Sequence, residues 1–168
     1  MMDRRDFMKA SAVGAAGMSL FPLACADAGK TGAGAVPLYR ISIAQWSLHK
    51  ALFADEMTNL EFPVIAREAF GIDAVEYVNS FMKEESRDPR YIEELKNVCD
   101  SEGITSLLIM CDGEGRLGDP DDAARLAAIE NHYRWIDIAV ELGCHSIRVN
   151  AASEGDWNTQ RDLAANGL

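Results

Sequence analysis

Apolar residues along the chain recur with two different periods, and their alternation predicts helices followed by strands. Between positions 126 and 140, five apolar residues are spaced by three or four positions, the period of one face of an α-helix. These residues are Leu126, Ile129, Tyr133, Ile136 and Val140. We expect this stripe to be the buried face of a long helix. Gly143 then supplies the left-handed turn after the helix, and Ile147 and Val149 mark a β-branched strand.

The same succession of helix, glycine and strand occurs twice more. Gly71 and Gly103 each follow a helical pattern and precede an apolar run that ends near Val78 or Met110. Such runs are typical of strands covered on both faces. A further strand is predicted over 39–46. The strand centres are roughly 30 to 40 residues apart, so the sequence predicts an α/β fold, a partial (β/α)8 TIM barrel of about four βα units.

Capping residues mark where the helices should begin. Thr58 and Glu61 have the spacing of a capping box. The pairs 88–89 and 119–120 are both Asp-Pro, which places a carboxylate at the predicted cap and a proline at the first helical position. We therefore expect helices to start directly after Asp88 and Asp119.

The first 28 residues are predicted to be a signal peptide and not part of the fold. Arg4 and Arg5 are followed by Phe7, Lys9 and a stretch without charged residues over 10–26. This arrangement resembles the bacterial twin-arginine signal and predicts a periplasmic or otherwise exported protein. Small residues allow cleavage after position 26 or 28. Residues 29–37 are predicted to be a linker, and 38–168 the folded domain.

Cys25 offers an alternative fate for this signal. If it is the lipid attachment site of a lipoprotein, the exported chain stays tethered to the membrane. Otherwise, contact with the membrane is transient and limited to export. The remaining cysteines are Cys99, Cys111 and Cys144. Their number and separation indicate neither a disulfide framework nor a zinc site.

The charge of the folded region excludes one class of partner. Residues 1–30 hold four of the 16 basic and three of the 27 acidic side chains, which leaves 12 basic against 24 acidic groups, or −12, for residues 31–168. Such a surface repels phosphate backbones, and no basic cluster interrupts it. We therefore expect no nucleic-acid partner.

Polar residues at the predicted strand ends are the candidates for chemistry, because parallel α/β folds bind ligands at the carboxyl ends of their strands. The polar groups at these positions are Gln45, Ser47, His49, Glu76, Asn79, Asp112, Glu114, Arg148 and Asn150. Trp46, Tyr77 and Trp157 are candidates for an apolar wall against a sugar ring.

Glu76 and Arg148 stand at equal distances from a glycine. Each lies five residues after its own, Gly71 or Gly143. Alternate strands of a barrel contribute to the same interior layer, so we expect the two side chains to pair inside the barrel. A structural role for this pair is favoured over direct catalysis.

Four segments together resemble the sugar phosphate isomerase/epimerase family, which has the xylose isomerase-like TIM barrel fold. These segments are 39–49, 71–79, 107–115 and 143–150. The resemblance implies a sugar substrate and a divalent metal that assists proton transfer between neighbouring carbons. It implies substrate-side or barrel-lining roles for His49, Glu76, Arg148 and Asn150, to which Asp112 is added from its place at a strand end. Family metal ligands come from later strands, so none is assigned here and they are expected beyond residue 168.

The length of the chain leaves two interpretations. A full barrel has ~250 residues, so the sequence is expected to be the amino-terminal half of a longer isomerase, inactive alone, or a half-barrel that associates with itself through its open edges. A non-catalytic carbohydrate-binding or scaffold protein on the same fold is the alternative function. An abasic-site nuclease of related architecture is disfavoured by the negative charge.

Overall fold

The computed structural model describes residues 39–168, which alternate between strands and helices. The signal and linker predicted for 1–37 lie outside the described residues. In chain order the elements are β1 (Ile43–Ala44), α1 (His49–Phe53), α2 (Glu61–Phe70), β2 (Ala74–Val78), α3 (Pro89–Glu102), β3 (Thr105–Met110), α4 (Asp122–Glu141), β4 (Ser146–Arg148) and α5 (Trp157–Gly167). None of these helices is long and apolar enough to cross a membrane.

The four strands form one parallel sheet in the order β1-β2-β3-β4. Neighbours in the chain are therefore neighbours in the sheet, as the barrel prediction requires. One level across the sheet is formed by Ala44, Glu76, Leu108 and Ser146. A second level, closer to the carboxyl ends, is formed by Val78, Met110 and Arg148. All of these side chains point to the same face, because successive residues of a strand alternate between faces.

The opposite face of the sheet carries the apolar core. Val75, Tyr77 and Ile109 are fully buried there, beneath residues of the helices. The helix residues of this core include Phe62, Ala66, Ile92, Leu95, Cys99, Trp135, Ile138 and Ala139. This division into a covered outer face and a partly open inner face is the arrangement of barrel strands.

The stripe predicted to be the buried face of α4 is wrong. Leu126, Tyr133, Ile136 and Val140 are exposed, Val140 to 73%, and Ile129 is half-buried. The buried residues of α4 are Arg125, Ala128, His132, Trp135, Ile138 and Ala139. Both sets follow the helical period, so periodicity alone does not select the side that faces the sheet. The side of α4 that faces the sheet is the one that carries Trp135, whose large side chain is 1% exposed and packs in the core.

The helix start predicted at Asp88 is confirmed, since Asp88 caps α3 with Pro89 at its first turn. The Thr58 N–H donates to Glu61 Oε2 at 2.8 Å, as in a capping box, but α2 begins only at Glu61, with Leu60 at the N-cap position. The start at Asp119 is wrong. The cap of α4 is Asp121, whose side chain accepts from the Ala124 N–H, while Asp119 instead accepts from the Asp121 N–H in the preceding turn.

β1 is shorter than the strand predicted over 39–46, since it begins at Ile43 and ends at Ala44, where the chain turns into a 3-10 helix at Gln45–Leu48. The buried Gln45 side chain takes the place of the missing strand residue. Its Oε1 accepts from the Val78 N–H at 2.8 Å, and its Nε2 donates to Asn59 Oδ1 at 2.9 Å. Asn59 in turn donates to the Phe81 carbonyl. This network joins the end of β1 to the end of β2.

Candidate functional site

A cavity of about 360 Å³ opens on the inner face of the sheet, at the carboxyl ends of the strands. Its walls come from all four strands or the turns that follow them, and they are Ala44, Trp46, Ser47, Val78, Met110, Asp112 and Arg148. Two opposite charges and one aromatic ring thus face the same space.

Three of the predicted site residues form one hydrogen-bonded cluster. Asp112 Oδ1 accepts from Asn150 Nδ2 at 2.7 Å and from Arg148 Nη1 at 3.2 Å. Arg148 Nη1 also donates to Asn150 Oδ1 at 2.9 Å. The side chains of Asp112 and Arg148 are 43% and 42% exposed, so the cluster is accessible to a small molecule. Among residues 39–168, the remaining N–H groups of the Arg148 guanidinium have no protein acceptor.

Glu76 and Arg148 do not pair as predicted. Glu76 instead accepts a hydrogen bond from Ser42 Oγ at 2.6 Å, and Arg148 is bound to Asp112. The residue level with Glu76 is Ser146, so Arg148 lies two residues further along its strand, roughly 7 Å away in that direction. The glycine offsets are equal for Glu76 and its partner Leu108, which is five residues after Gly103. The equality is lost between β3 and β4, where Leu108 is level with Ser146, only three residues after Gly143.

His49 reaches the cavity only through Trp46. The two rings are stacked with centroids 4.9 Å apart, and His49 Nδ1 lies 2.7 Å from the Trp46 carbonyl oxygen. Phe53 and Phe81 extend this group into an aromatic cluster beside the cavity. Trp46 is 51% exposed and is the ring that lines the cavity.

The other two aromatic residues expected at a sugar wall lie elsewhere. Tyr77 is buried on the outer face of the sheet, where its hydroxyl is hydrogen bonded to Ser106 Oγ and Cys99 Sγ. Burial there raises the pKa of the Tyr77 hydroxyl well above its usual range. Trp157 is exposed at the first turn of α5.

Two buried residues, Asn79 and Glu114, hold the cluster in place. The sequence analysis identified them only as polar residues at predicted strand ends. Asn79 Nδ2 donates to the Asp112 carbonyl and to Glu114 Oε1, both at 3.0 Å. Asn79 Oδ1 accepts from the Asp112 N–H at 2.9 Å. Glu114 is 8% exposed and forms an ion pair with Lys83 at 3.1 Å. In the sequence, the only sign that Asn79 supports the cluster is its position as a polar residue directly after the apolar strand β2.

The thiol next to this cluster is held in its neutral form. Cys111 is 2% exposed, and its burial raises the pKa of the thiol to about 12, with the nearby carboxylates of Glu114 and Asp112 acting in the same direction. Thiolates are the reactive form of cysteine, so Cys111 is a packing residue and not a nucleophile.

The described residues do not provide a ligand set for a divalent metal. Within residues 39–168, no group of three or more histidine, cysteine, aspartate or glutamate side chains is close enough to hold one. Glu76 and Asp112 are the carboxylates of the inner face, and each already accepts hydrogen bonds from neighbouring side chains. No chemical step is therefore assigned to a metal on these residues.

Comparisons with known proteins agree with this fold and with the signal peptide. The family described as xylose isomerase-like TIM barrel matches residues 64–167. The twin-arginine translocation pathway signal sequence matches residues 1–21. A search of curated protein sequences gives no significant match.

The solved structures to which the chain is similar are distant from it in sequence. A protein from Sinorhizobium meliloti 1021 is 20% identical with a TM-score of 0.55, and the alignment covers 76% of this chain and 43% of that one. A D-psicose 3-epimerase crystallised in the presence of D-fructose is 15% identical with a TM-score of 0.51, covering 75% and 45%. The apo form of 3-keto-D-glucoside 4-epimerase from E. coli is 19% identical with a TM-score of 0.48, covering 60% and 40%. The chain spans less than half the length of each.

The chain belongs to the xylose isomerase-like TIM barrel family. This confirms the resemblance inferred from the four strand segments. The signal at residues 1–21 indicates export across the membrane, to the periplasm or beyond. The cleavage site and lipidation at Cys25 stay predictions.

Proposed function

We propose that this chain forms the substrate-binding side of an exported sugar isomerase or epimerase. The reaction proposed for the whole protein is metal-assisted proton transfer between adjacent carbons of a sugar or sugar phosphate. The observation that carries the proposal is the cluster of Asp112, Arg148 and Asn150 beside Trp46, at the carboxyl ends of the strands.

This cluster suits a polyhydroxylated ligand. Arg148 has unused N–H donors, while Asp112 and Asn150 offer acceptor oxygens with fixed directions, so neighbouring hydroxyl groups meet both kinds of partner. Trp46 adds an apolar surface for the C–H face of a sugar ring. The same guanidinium suits a phosphate group.

The remaining predicted site residues have indirect parts in this proposal. Glu76 lies deeper on the inner face, where Ser42 fixes its carboxylate, and we assign it to the wall below the ligand. His49 supports Trp46 by stacking. The divalent metal implied by the family would polarise a carbonyl oxygen of the substrate. Its ligands are expected beyond residue 168, so binding and orientation are the only steps assigned to these residues.

Titration of the full-length protein with D-fructose tests the binding site. Trp46 fluorescence is expected to change saturably, and Trp46→Phe should remove that signal. Arg148→Ala is expected to weaken binding at least about tenfold, because a hydrogen bond to a charged group contributes ~1.5–3 kcal/mol. Arg161→Ala is the matched control, since Arg161 is an exposed arginine paired with an aspartate on α5. No saturable signal, or equal affinity in the Arg148 variant, would contradict the proposal.

A carbohydrate-binding protein without catalytic activity is the second candidate. It is supported by the cluster of Asp112, Arg148 and Asn150 beside Trp46, which supplies contacts for a sugar without any group assigned to proton transfer. Incubation of the protein with D-fructose and Mg²⁺ or Mn²⁺, followed by ¹³C NMR, separates the two functions. Appearance of an epimer or aldose supports the enzyme, whereas saturable binding with an unchanged sugar supports the binding protein.

A further inference from the structure

We propose that Asn79 is a positioning residue, which sets the place of Asp112 and through it the geometry of the sugar-binding cluster. The inference rests on the proposed function for its substrate. It assigns to Asn79 no contact with substrate or reacting atoms.

Asn79 acts on the main chain of Asp112 from both sides. Its amide oxygen accepts from the Asp112 N–H at 2.9 Å, and its amide nitrogen donates to the Asp112 carbonyl at 3.0 Å. One side chain thus imitates the pair of hydrogen bonds that a neighbouring strand would make. Asp112 needs this substitute because β3 ends at Met110, two residues earlier.

The orientation of the Asn79 amide is determined by its partners. The carbonyl of Asp112 and the carboxylate of Glu114 only accept hydrogen bonds, whereas the N–H of Asp112 only donates. The nitrogen must therefore face the first two groups and the oxygen must face the third. Glu114, anchored by Lys83, prevents the amide from turning over.

Because Asn79 fixes the backbone of Asp112, it also fixes the two side chains that donate to the Asp112 carboxylate. Asp112 Oδ1 accepts from both Arg148 and Asn150, which belong to or follow the neighbouring strand. If Asp112 moves, both partners lose their common acceptor, and the remaining N–H groups of Arg148 no longer point in a fixed direction. Asn79 is completely buried, so it exerts this effect from beneath the cavity.

The test compares Asn79→Ala with Asn59→Ala in the full-length protein. Asn59 is a matched control because it is also a buried asparagine with two hydrogen bonds at the strand ends, to Gln45 and to the Phe81 carbonyl. Both variants are expected to be less stable. The Asn79 variant should lose D-fructose affinity by about tenfold or more, while the Asn59 variant should stay within about twofold of the wild type.

An NMR readout separates this inference from the proposed function. In Asn79→Ala, hydrogen exchange at the Asp112 amide should accelerate, and the side-chain amide resonance of Asn150 should shift. Neither change is expected in Asn59→Ala. If the wild type binds no D-fructose, the proposed function fails, yet these two signals still decide whether Asn79 positions Asp112.

Two further variants keep the inference falsifiable. Glu114→Gln removes the charge that anchors this side chain to Lys83 and adds an N–H donor that fits a turned-over Asn79 amide, so protection of the Asp112 amide is expected to fall, though less than in Asn79→Ala. If Asn79→Ala does not fold, Asn79→Ser is expected to give the same losses, since its hydroxyl cannot span both main-chain groups. Unchanged Asn150 resonances and unchanged affinity in a folded Asn79 variant would overturn the inference.

Discussion

Burial raises the pKa of three cysteine thiols in the folded domain. Cys111 and Cys144 both have thiol pKa values raised from an ordinary value near 9 to about 12, with burial as the main cause. Cys99, in α3, shifts in the same direction for the same reason. The folded protein therefore keeps these protons at a pH at which an unfolded chain would release them.

Alkaline pH is expected to destabilise the fold through these thiols. Because the folded state binds more protons than the unfolded state between pH 9 and pH 12, the free energy of unfolding should fall as the pH rises through that window. Urea denaturation at a series of pH values measures the slope. The double variant Cys111→Ala, Cys144→Ala should show a smaller slope, although its stability at neutral pH is lower. An unchanged slope would contradict the assignment.

The glycines that follow the helices are the feature of the secondary structure that was predicted best from the sequence. Gly71, Gly103 and Gly143 follow α2, α3 and α4 with φ of 65°, 66° and 74°, as expected of left-handed turns. Gly115 differs, because it has a φ of 103° and an added Cβ would lie 2.7 Å from Ala128 Cβ. A conformational requirement applies to all four positions, and a packing requirement applies to Gly115 in addition.

Substitution by alanine should separate these two requirements. Gly143→Ala is expected to cost about 1–2 kcal/mol, because its Cβ meets open space and only the left-handed conformation is strained. Gly115→Ala should cost about 3 kcal/mol or more, since the loop must also move away from α4. Chemical denaturation of both variants measures the difference. Equal losses of unfolding free energy in the two variants would contradict a packing requirement at Gly115, because they would show that the loop moves away from Ala128 without an energetic penalty.

The element boundaries that sequence analysis missed have local physical causes. The strand predicted over 39–46 is reduced to Ile43–Ala44. Its carboxyl end is lost because the Gln45 side chain replaces a backbone pairing, and pairing with β2 begins only at Ile43. The start of α4 moved from Asp119 to Asp121, since either aspartate is able to cap. The buried side of α4 could not be predicted because the helix carries two apolar faces, of which the sheet covers only one.

For the molecule as a whole, that uncovered face of α4 lies beside an open sheet edge. Tyr133 and Val140 are 57% and 73% exposed, and β4 pairs only with β3 among the described strands. Exposed apolar patches and unpaired strand edges both favour association with another chain or segment. We therefore expect the chain on its own to self-associate, as the sequence also predicts.

Charged substitutions on this face should reduce the association. The double variant Ile136→Glu, Val140→Glu is expected to shift the protein toward monomer in sedimentation velocity, because it places two carboxylates in the apolar patch. Phe70→Glu is the control, since Phe70 is an exposed apolar residue at the end of α2 that lies outside the α4 stripe. A monodisperse monomer for the unsubstituted chain would contradict the expectation.

The sequence predicted the order of the whole fold better than the details of its site. Sequential parallel strands follow from the repeated glycine-to-strand pattern. Asp112, Arg148 and Asn150 were predicted as separate candidates, and the structure brings them together. The predicted pairing of Glu76 with Arg148 is wrong because the register between β3 and β4 places Ser146, and not Arg148, level with Glu76, and this register is a property of the assembled sheet that neither segment encodes alone.

The side-chain replacement at Gln45 has a consequence for natural variation. The Gln45 oxygen accepts from the Val78 N–H, and the Gln45 nitrogen donates to Asn59. Substitution of Gln45 or of Asn59 therefore leaves a buried polar group without a hydrogen-bond partner. Positions 45 and 59 are therefore expected to mutate jointly among homologous chains, with a longer first strand wherever the glutamine is lost.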